Sequence, residues 1–281
     1  MTISTTDTST GDNSIAFIGG GNMASAIISG LLKRGLPASG IQVVEPFAEQ
    51  RARLAQQFQV DVSETAGAGL ERAAVVVWAV KPQSFKEAAE QSRAHTGNAL
   101  HLSVAAGIRS GTIARWLGSE RVVRAMPNTP ALIGKGMTAL FARPAATTAD
   151  RLAVQRVAQT MGTYLWLDQE EQLDAVTALS GSGPAYVFYF IEAMVQAGLD
   201  MGLSHEQAHQ LAVGTFAGAS ALAQEATDPP EVLRARVTSK GGTTYAALAS
   251  MEQSGVKALF MRAMQAARQR AGEMGNEFGA S

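Results

Sequence analysis

Two kinds of apolar pattern alternate along the first 168 residues, and only one of them continues afterwards. Short, mainly apolar runs recur at 15–18, 41–44, 75–80, 99–104, 122–125 and 137–141, the one at 75–80 continuous, each soon followed by glycine, proline or a charged residue. Runs of this length without alternation suit strands buried on both faces of a parallel sheet. Between them the apolar residues fall at helical spacing. Ile27, Ile28, Leu31 and Leu32 mark a helix over 24–34 that Gly35 and Pro37 close, and 48–58, 111–117 and 149–161 repeat the pattern. A short strand starting at Val60 leads to a loop around Ser63, and 164–167 reads as an edge strand. This order predicts a doubly wound parallel α/β sheet with right-handed crossovers over 14–168.

From about Asp168 the strand-type runs stop. The segments 172–179, 185–201, 205–225 and 256–278 read as alanine-rich helices, with glycine and proline mainly at the joints. An all-α unit is therefore expected over 169–281, and the Ser/Thr-rich start at 1–13 reads as a flexible tail. Apolar residues cover more than one face of 186–195, which predicts a helix buried all round. A helical unit this small would complete that burial against a second copy, so a homodimer through this half is expected, alone or as the building block of a larger assembly.

Composition narrows the function classes. Hydrophobic residues at 46% and charged residues at 17% exclude disorder for the bulk of the chain. With 23 basic and 24 acidic residues and a net charge of −1, there is no broad attraction to nucleic acid or anionic membrane. No window approaches the roughly 18 unbroken apolar residues of a membrane helix, although 185–197 is decidedly apolar. The absence of cysteine excludes disulfides, thiolate nucleophiles and cysteine-bound metal. Together with a start unlike a signal peptide, it points to a cytoplasmic setting.

The candidate chemistry begins where the first strand meets three glycines. Gly19, Gly21 and Ala24 fill the small-residue positions of the dinucleotide fingerprint G-x-G-x-x-(G/A): Gly19 for the sharp turn, Gly21 for approach of a pyrophosphate, Ala24 for close helix packing. The helix that begins near Asn22 would offer its free N–H groups to an anion. Glu45 ends the second run, at the offset where an acid meets the adenosine ribose. In an open parallel sheet ligands bind beyond the carboxyl ends of the strands, where 19–23, 79–82, 104–107 and 127–128 fall. There Lys81 would either reach a phosphate or ribose hydroxyl or simply end a strand in solvent.

In the helical half, Ser180-Gly181-Ser182-Gly183-Pro184 breaks one helix and starts the next, with Pro184 suited to a first turn. Thr238-Ser239-Lys240-Gly241-Gly242-Thr243-Thr244 is a second glycine turn before a helix, either a cradle for an anion such as a carboxylate or an ordinary helix start. His205-Glu206-Gln207-Ala208-His209 spells the H-E-x-x-H zinc pattern. Ser204 with Gln207 is also a capping box, however, which puts His205 in an exposed first turn with no third ligand evident, so no metal is expected.

Taken together, Phe17 to Ala24, Ala79-Val80-Lys81-Pro82-Gln83, Arg124 to Ala131, Ser180 to Tyr186, and Thr238-Ser239 with Gly241 to Thr244 resemble the pyrroline-5-carboxylate reductase family from Ile15 to the last helix. The resemblance implies a Rossmann domain followed by an intertwined helical dimerisation domain, with each site shared between one subunit's nucleotide fold and the partner's helices. It implies hydride transfer from NADPH or NADH to a cyclic imino acid, yielding L-proline. By position it implies cofactor contacts at Ile18, Gly19, Gly20, Gly21, Asn22 and Met23, at Ala79, Val80, Lys81 and Pro82, at Val104, Ala105 and Ala106, and at Asn128. Ser239, Lys240, Gly241, Gly242 and Thr243 become the carboxylate cradle, and Thr244 the hydroxyl on the substrate nitrogen.

Three positions depart from the family pattern. Lys240 replaces a usual proline, Ala66 a usual asparagine at the cofactor ribose, and Glu45 a small polar residue near the 2′ position. A carboxylate there repels a 2′-phosphate and accepts a bond from a free hydroxyl, which favours NADH. Arg51 and Arg53 read as ordinary surface charges. A β-hydroxyacid-type dehydrogenase would need a lysine in the second domain, and none occurs between Lys135 and Lys240. A reductase of another cyclic imine, or a non-catalytic nucleotide-binding protein, remains as a rival.

Overall fold

The computed structural model describes residues 14–279, so the tail expected at 1–13 lies outside the described residues. The apolar runs become strands β1 Ile15–Ile18, β2 Ile41–Val44, β3 Asp61–Ser63, β4 Val75–Trp78, β5 Leu100–Ser103, β6 Val122–Met126, β7 Gly136–Ala142 and β8 Gly162–Trp166. Among them run helices α1 Asn22–Lys33, α2 Ala48–Phe58, α3 Phe85–Ser92, α4 Ser110–Leu117 and α5 Thr148–Met161. They form one sheet in the order β3-β2-β1-β4-β5-β6-β7-β8, so β8 is indeed an edge. All residues of β1 and β4 are buried, as expected of strands covered on both faces.

The two faces carry separate cores. Phe17, Val77 and Leu102 pack with Ile27, Ile28 and Leu31 of α1 and with Val154 and Val157 of α5. On the opposite face Trp78, Phe85, Ile113 and Trp116 cluster, with Trp78 and Phe85 stacked at 5.0 Å between ring centres. Each such side chain contributes roughly 1.5–3 kcal/mol by leaving water, which is why the sheet holds the loops at its ends in fixed positions.

Within the α/β half, two features differ from the sequence expectation. β7 runs antiparallel to β6, Val123 pairing with Ala142 and Met126 with Ala139, so the sheet is not wholly parallel. The connection holds only a 3-10 turn, Thr129–Ile133, and a parallel return needs a crossover of roughly a dozen residues or more. Pairing with β8 is parallel again, through α5. Helix α3 was not anticipated, because its eight residues bury only Phe85, Ala89 and Ser92 and give too short a periodic signal.

After β8 the chain is helical: α6 Gln172–Val176, a π-helical turn Thr177–Gly181, then α7 Gly183–Asp200, α8 His205–Glu225, α9 Pro230–Arg236, α10 Thr243–Gln253 and α11 Val256–Gly279. The described residues form two compact units, 14–181 with 268–279, and 182–267. In the second unit α7 and α8 approach closely at Gly198, where a Cβ would stand 2.7 Å from that of Ala208. Tyr186 and Phe190 meet Phe260 edge to face at 5.6 and 5.5 Å. Within one chain the expectation of a helix buried all round over 186–195 is not met. Phe188 is 58% and Tyr189 69% exposed, and Gly198 is the one buried residue of α7. Among the described residues no helix is long and apolar enough to cross a membrane.

Candidate functional site

The strand order reverses at β1. The chain leaves it first for β2 on one side and later for β4 on the other, so the carboxyl ends of β2, β1, β4 and β5 meet at the switch point where open α/β sheets take their ligands. Each glycine of the turn after β1 has its own reason. Gly19 has φ +92°, and a Cβ on it would stand 2.8 Å from the Ala79 carbonyl oxygen. Gly20 faces Leu54 at 2.4 Å by the same measure, whereas a Cβ on Gly21 would meet nothing within 4 Å. Gly21 is the N-cap of α1, with no side chain capping it, and Ser25 donates the first helical bond, to Gly21. The preceding N–H groups, from Asn22 to Ala24, are thus left for an external acceptor. Ala24 itself is fully buried.

Glu45 is 6% exposed and lies beneath this turn. Its Oε2 accepts from the Gly20 N–H at 2.8 Å and its Oε1 from the Phe47 N–H at 2.9 Å. Gln50 donates to the Gly20 carbonyl from the other side. Arg51 is more than a surface charge: it donates to the carbonyls of Glu45 and Pro46 and pairs with Glu64 at 2.9 Å. The β2 to α2 corner is thereby fixed around the one carboxylate.

On the other side of β1, Ala79 donates to Ile18 and Val104 to Trp78, carrying the strand pairing into both loops. Lys81 is exposed and precedes the turn Pro82–Ser84, while Ala105 is buried and bonded to the Ser103 hydroxyl. Beyond these loops, Glu170 accepts from the Ser110 N–H, from the Ser110 hydroxyl at 2.6 Å and from Arg124 at 2.7 Å. Burial alone would raise the Glu170 carboxyl, but the Ser110 bonds and the Arg124 charge outweigh it and hold it below the usual carboxylate range. Burial depresses the Arg124 guanidinium despite its partner. Arg109 pairs with Asp174 at 2.6 Å. Asn128 donates to the Ser180 carbonyl and hydroxyl, both at 3.2 Å, and accepts from the Met137 N–H at 2.9 Å. Its amide thus ties β6 and β7 to the π-helical turn, where a Cβ on Gly181 would stand 2.5 Å from the Met126 methyl.

In the second unit, Gly241 has φ +77° and Gly242 is the N-cap of α10, again with no side chain capping it. The first helical bond runs from Ala246 to Gly242, leaving the N–H groups of Thr243, Thr244 and Tyr245 free of helical acceptors. Ser239, Lys240, Gly241 and Thr243 are exposed, and Thr244 is half-buried. His205 and His209 stack with ring centres 6.3 Å apart, and Ser204 and Gln207 form the expected capping box. Among the described residues no cluster of metal-ligating side chains occurs.

The structure thus brings 18–23, Glu45, 79–82 and 104–106 to one end of the sheet, with Asn128 in the loop after β6, the strand beside β5. It gathers 239–244 separately at the start of α10. Sequence reasoning missed Ser110, Arg109, Arg124, Glu170 and Asp174, whose partners lie 46 to 65 residues away and leave no local pattern.

A glycine turn into an uncapped helix and an acid closing the second strand, both at the strand reversal, define a dinucleotide-binding protein of the dehydrogenase class. Two family models match the chain: one described as NADP oxidoreductase, coenzyme F420-dependent, over 14–107, and pyrroline-5-carboxylate reductase dimerisation over 170–274. Pyrroline-5-carboxylate reductase of Pseudomonas aeruginosa is 44% identical over 94% of this chain and 98% of its own length. The solved structure of the Coxiella burnetii reductase is 35% identical with a TM-score of 0.88, covering 94% of this chain and 98% of that one. Plasmodium falciparum pyrroline carboxylate reductase with NADP bound is 26% identical with a TM-score of 0.84, covering 94% and 99%. The chain belongs to the pyrroline-5-carboxylate reductase family.

Proposed function

We propose that this chain reduces 1-pyrroline-5-carboxylate to L-proline, the last step of proline synthesis, with a hydride from NAD(P)H, and does so as a homo-oligomer. The glycine turn at Gly241 to Thr244 carries the substrate half of this reading: two adjoining hydroxyls and three free N–H groups at one helix start suit a small carboxylate. In that reading Ser239, Gly241, Gly242 and Thr243 hold the carboxylate. Lys240 adds a charge beside them, and Thr244 hydrogen-bonds the ring nitrogen.

The open space over Gly21 and the uncapped start of α1 fit a pyrophosphate, with 18–23 beneath it. Ala79 to Pro82, Val104 to Ala106 and Asn128 complete the cofactor side, Asn128 through its backbone, since its amide is already engaged. Glu45 would receive the adenosine ribose and tilt the choice toward NADH. When bound, the reduced nicotinamide supplies the hydride. A protonated imine is already electrophilic, so the protein's own task is to position it, steady its nitrogen through Thr244 and keep the carboxylate neutralised; no strong acid is required.

The same reading assigns 14–168 to the cofactor and 169–281 to dimerisation and substrate, in a cytoplasmic enzyme. The second copy would cover the open face of α7 at Val187, Phe188 and Tyr189. Oxidation of NADH and NADPH in the presence of pyrroline-5-carboxylate tests the activity and the cofactor preference in one assay. Thr244→Ala should lower turnover by roughly 10- to 100-fold, the scale of one hydrogen bond to a charged group, with dinucleotide affinity unaltered. Unchanged turnover would remove Thr244 from the chemistry.

A further inference from the structure

The end of the chain returns to the cofactor side of the sheet. Residues 268–279, the last turns of α11, belong to the same compact unit as β5 and the loop that follows it. Three glycines mark where they meet. Gly107, in the loop, has φ +75°, and a Cβ on it would stand 3.1 Å from the Cβ of Met274 and 3.4 Å from the Phe278 ring. Phe278 packs on the core cluster that contains Ala105 and Ile108, one residue on either side of the Ala106-Gly107 turn. From the helix side, a Cβ on Gly275 would stand 3.0 Å from Nε of Arg109, and one on Gly272 would stand 3.7 Å from Oδ2 of Asp174.

Glycine within a helix costs about 1 kcal/mol relative to alanine. Two of them one turn apart, on the face that lies over the Arg109–Asp174 pair, leave room for a guanidinium that a side chain would displace. Arg109 is also the N-cap of α4, and its Nη1 is buried without a partner, so its position depends on the helix surface above it. The next residue, Ser110, is held by Glu170. The loop 104–109 is therefore gripped at its middle by Met274 and Phe278 and at its end by Arg109 under Gly275.

We propose that the last turns of α11 are a positioning element for the reductant: by fixing the loop 104–109 through Gly107 and the Arg109–Asp174 pair, they set the affinity for the dinucleotide. Arg109, Asp174 and Gly275 are positioning residues, not catalytic ones. The inference rests on the reading that Val104 to Ala106 receive the cofactor.

The test compares wild type, Gly275→Leu and Asp174→Asn by fluorescence titration with NADH and NADPH, steady-state kinetics with pyrroline-5-carboxylate, and light-scattering mass. Leucine at 275 pushes directly on the guanidinium, and asparagine at 174 keeps the shape while removing the charge. Both variants should raise the dinucleotide Kd about tenfold, the scale of a displacement on the order of 1 Å in a positioning contact, while KM for the imine and the oligomer mass stay at wild-type values. Wild-type dinucleotide affinity in a folded variant overturns the proposal, and so does parallel weakening of both substrates with loss of mass, which marks a merely structural role. If Gly275→Leu does not fold, Asp174→Asn decides alone. Wild-type protein that binds neither dinucleotide would overturn the cofactor reading itself, and the brace with it; normal wild-type binding with unaltered variants overturns the brace only.

Discussion

Gly19 shows how much one position can be made to carry. With φ at +92° and the Ala79 carbonyl 2.8 Å from any Cβ, Gly19→Ala should cost about 1–3 kcal/mol in stability and abolish dinucleotide binding. Urea midpoints and cofactor titration check the two effects separately. Glu45 makes a different case, because its carboxylate serves the backbone of the glycine turn as well as the proposed ribose contact. Glu45→Ser should shift the ratio of kcat/KM values for NADPH over NADH upward by roughly tenfold, since a like charge near a 2′-phosphate is removed; the ratio cancels any common loss from the loosened turn. The glycine turn and Ala24 were legible in the sequence because the strand, the turn and the helix start follow one another directly, whereas the bond from the Gly20 N–H to Glu45, 25 residues on, was not. Arg51 reads as a surface charge in the sequence for another reason: its bonds go to backbone carbonyls of its own corner, which no pattern of side chains reveals.

Between elements, stability and pH response are set by groups that the linear pattern hides. His101 on β5 is fully buried, accepts from the Trp78 indole at 3.2 Å, and is lowered to about 4 by burial and by the charge of Arg121. The unfolded chain binds a proton at this residue below its ordinary value of 6.5 whereas the native fold resists until about 4, so acidification through this window favours unfolding. The loss approaches about 1.4 kcal/mol per pH unit at most. Chemical denaturation at stepped pH should show this slope, flattened in His101→Gln. Below that window Glu170 and Asp150, both held low, add a loss of the same sign. Arg124→Met should cost about 3 kcal/mol by stranding Glu170, 15% exposed, beside Ser110 alone, and the same denaturation reads it. The alternating strand and helix order was legible from periodicity, but the reversal of β7 was not, because direction is decided by the length of a connection rather than by the strand's own residues.

For the molecule as a whole, the helical half was legible as helices and matches a dimerisation family model, yet the burial expected of α7 does not occur within one chain. Phe188 and Tyr189 stand in solvent within one chain, and the proposed second copy would cover them. Phe188→Lys should lower the light-scattering mass toward that of a single chain, with the α/β unit still folded by circular dichroism. If α7 finishes its core only against another copy, protein concentration itself becomes a stabilising ligand. Each tenfold dilution then withdraws about 1.4 kcal/mol from the assembled state, so the thermal midpoint should fall on dilution. Newly made chains would pass through a sticky, half-finished stage whose duration depends on how many siblings are present.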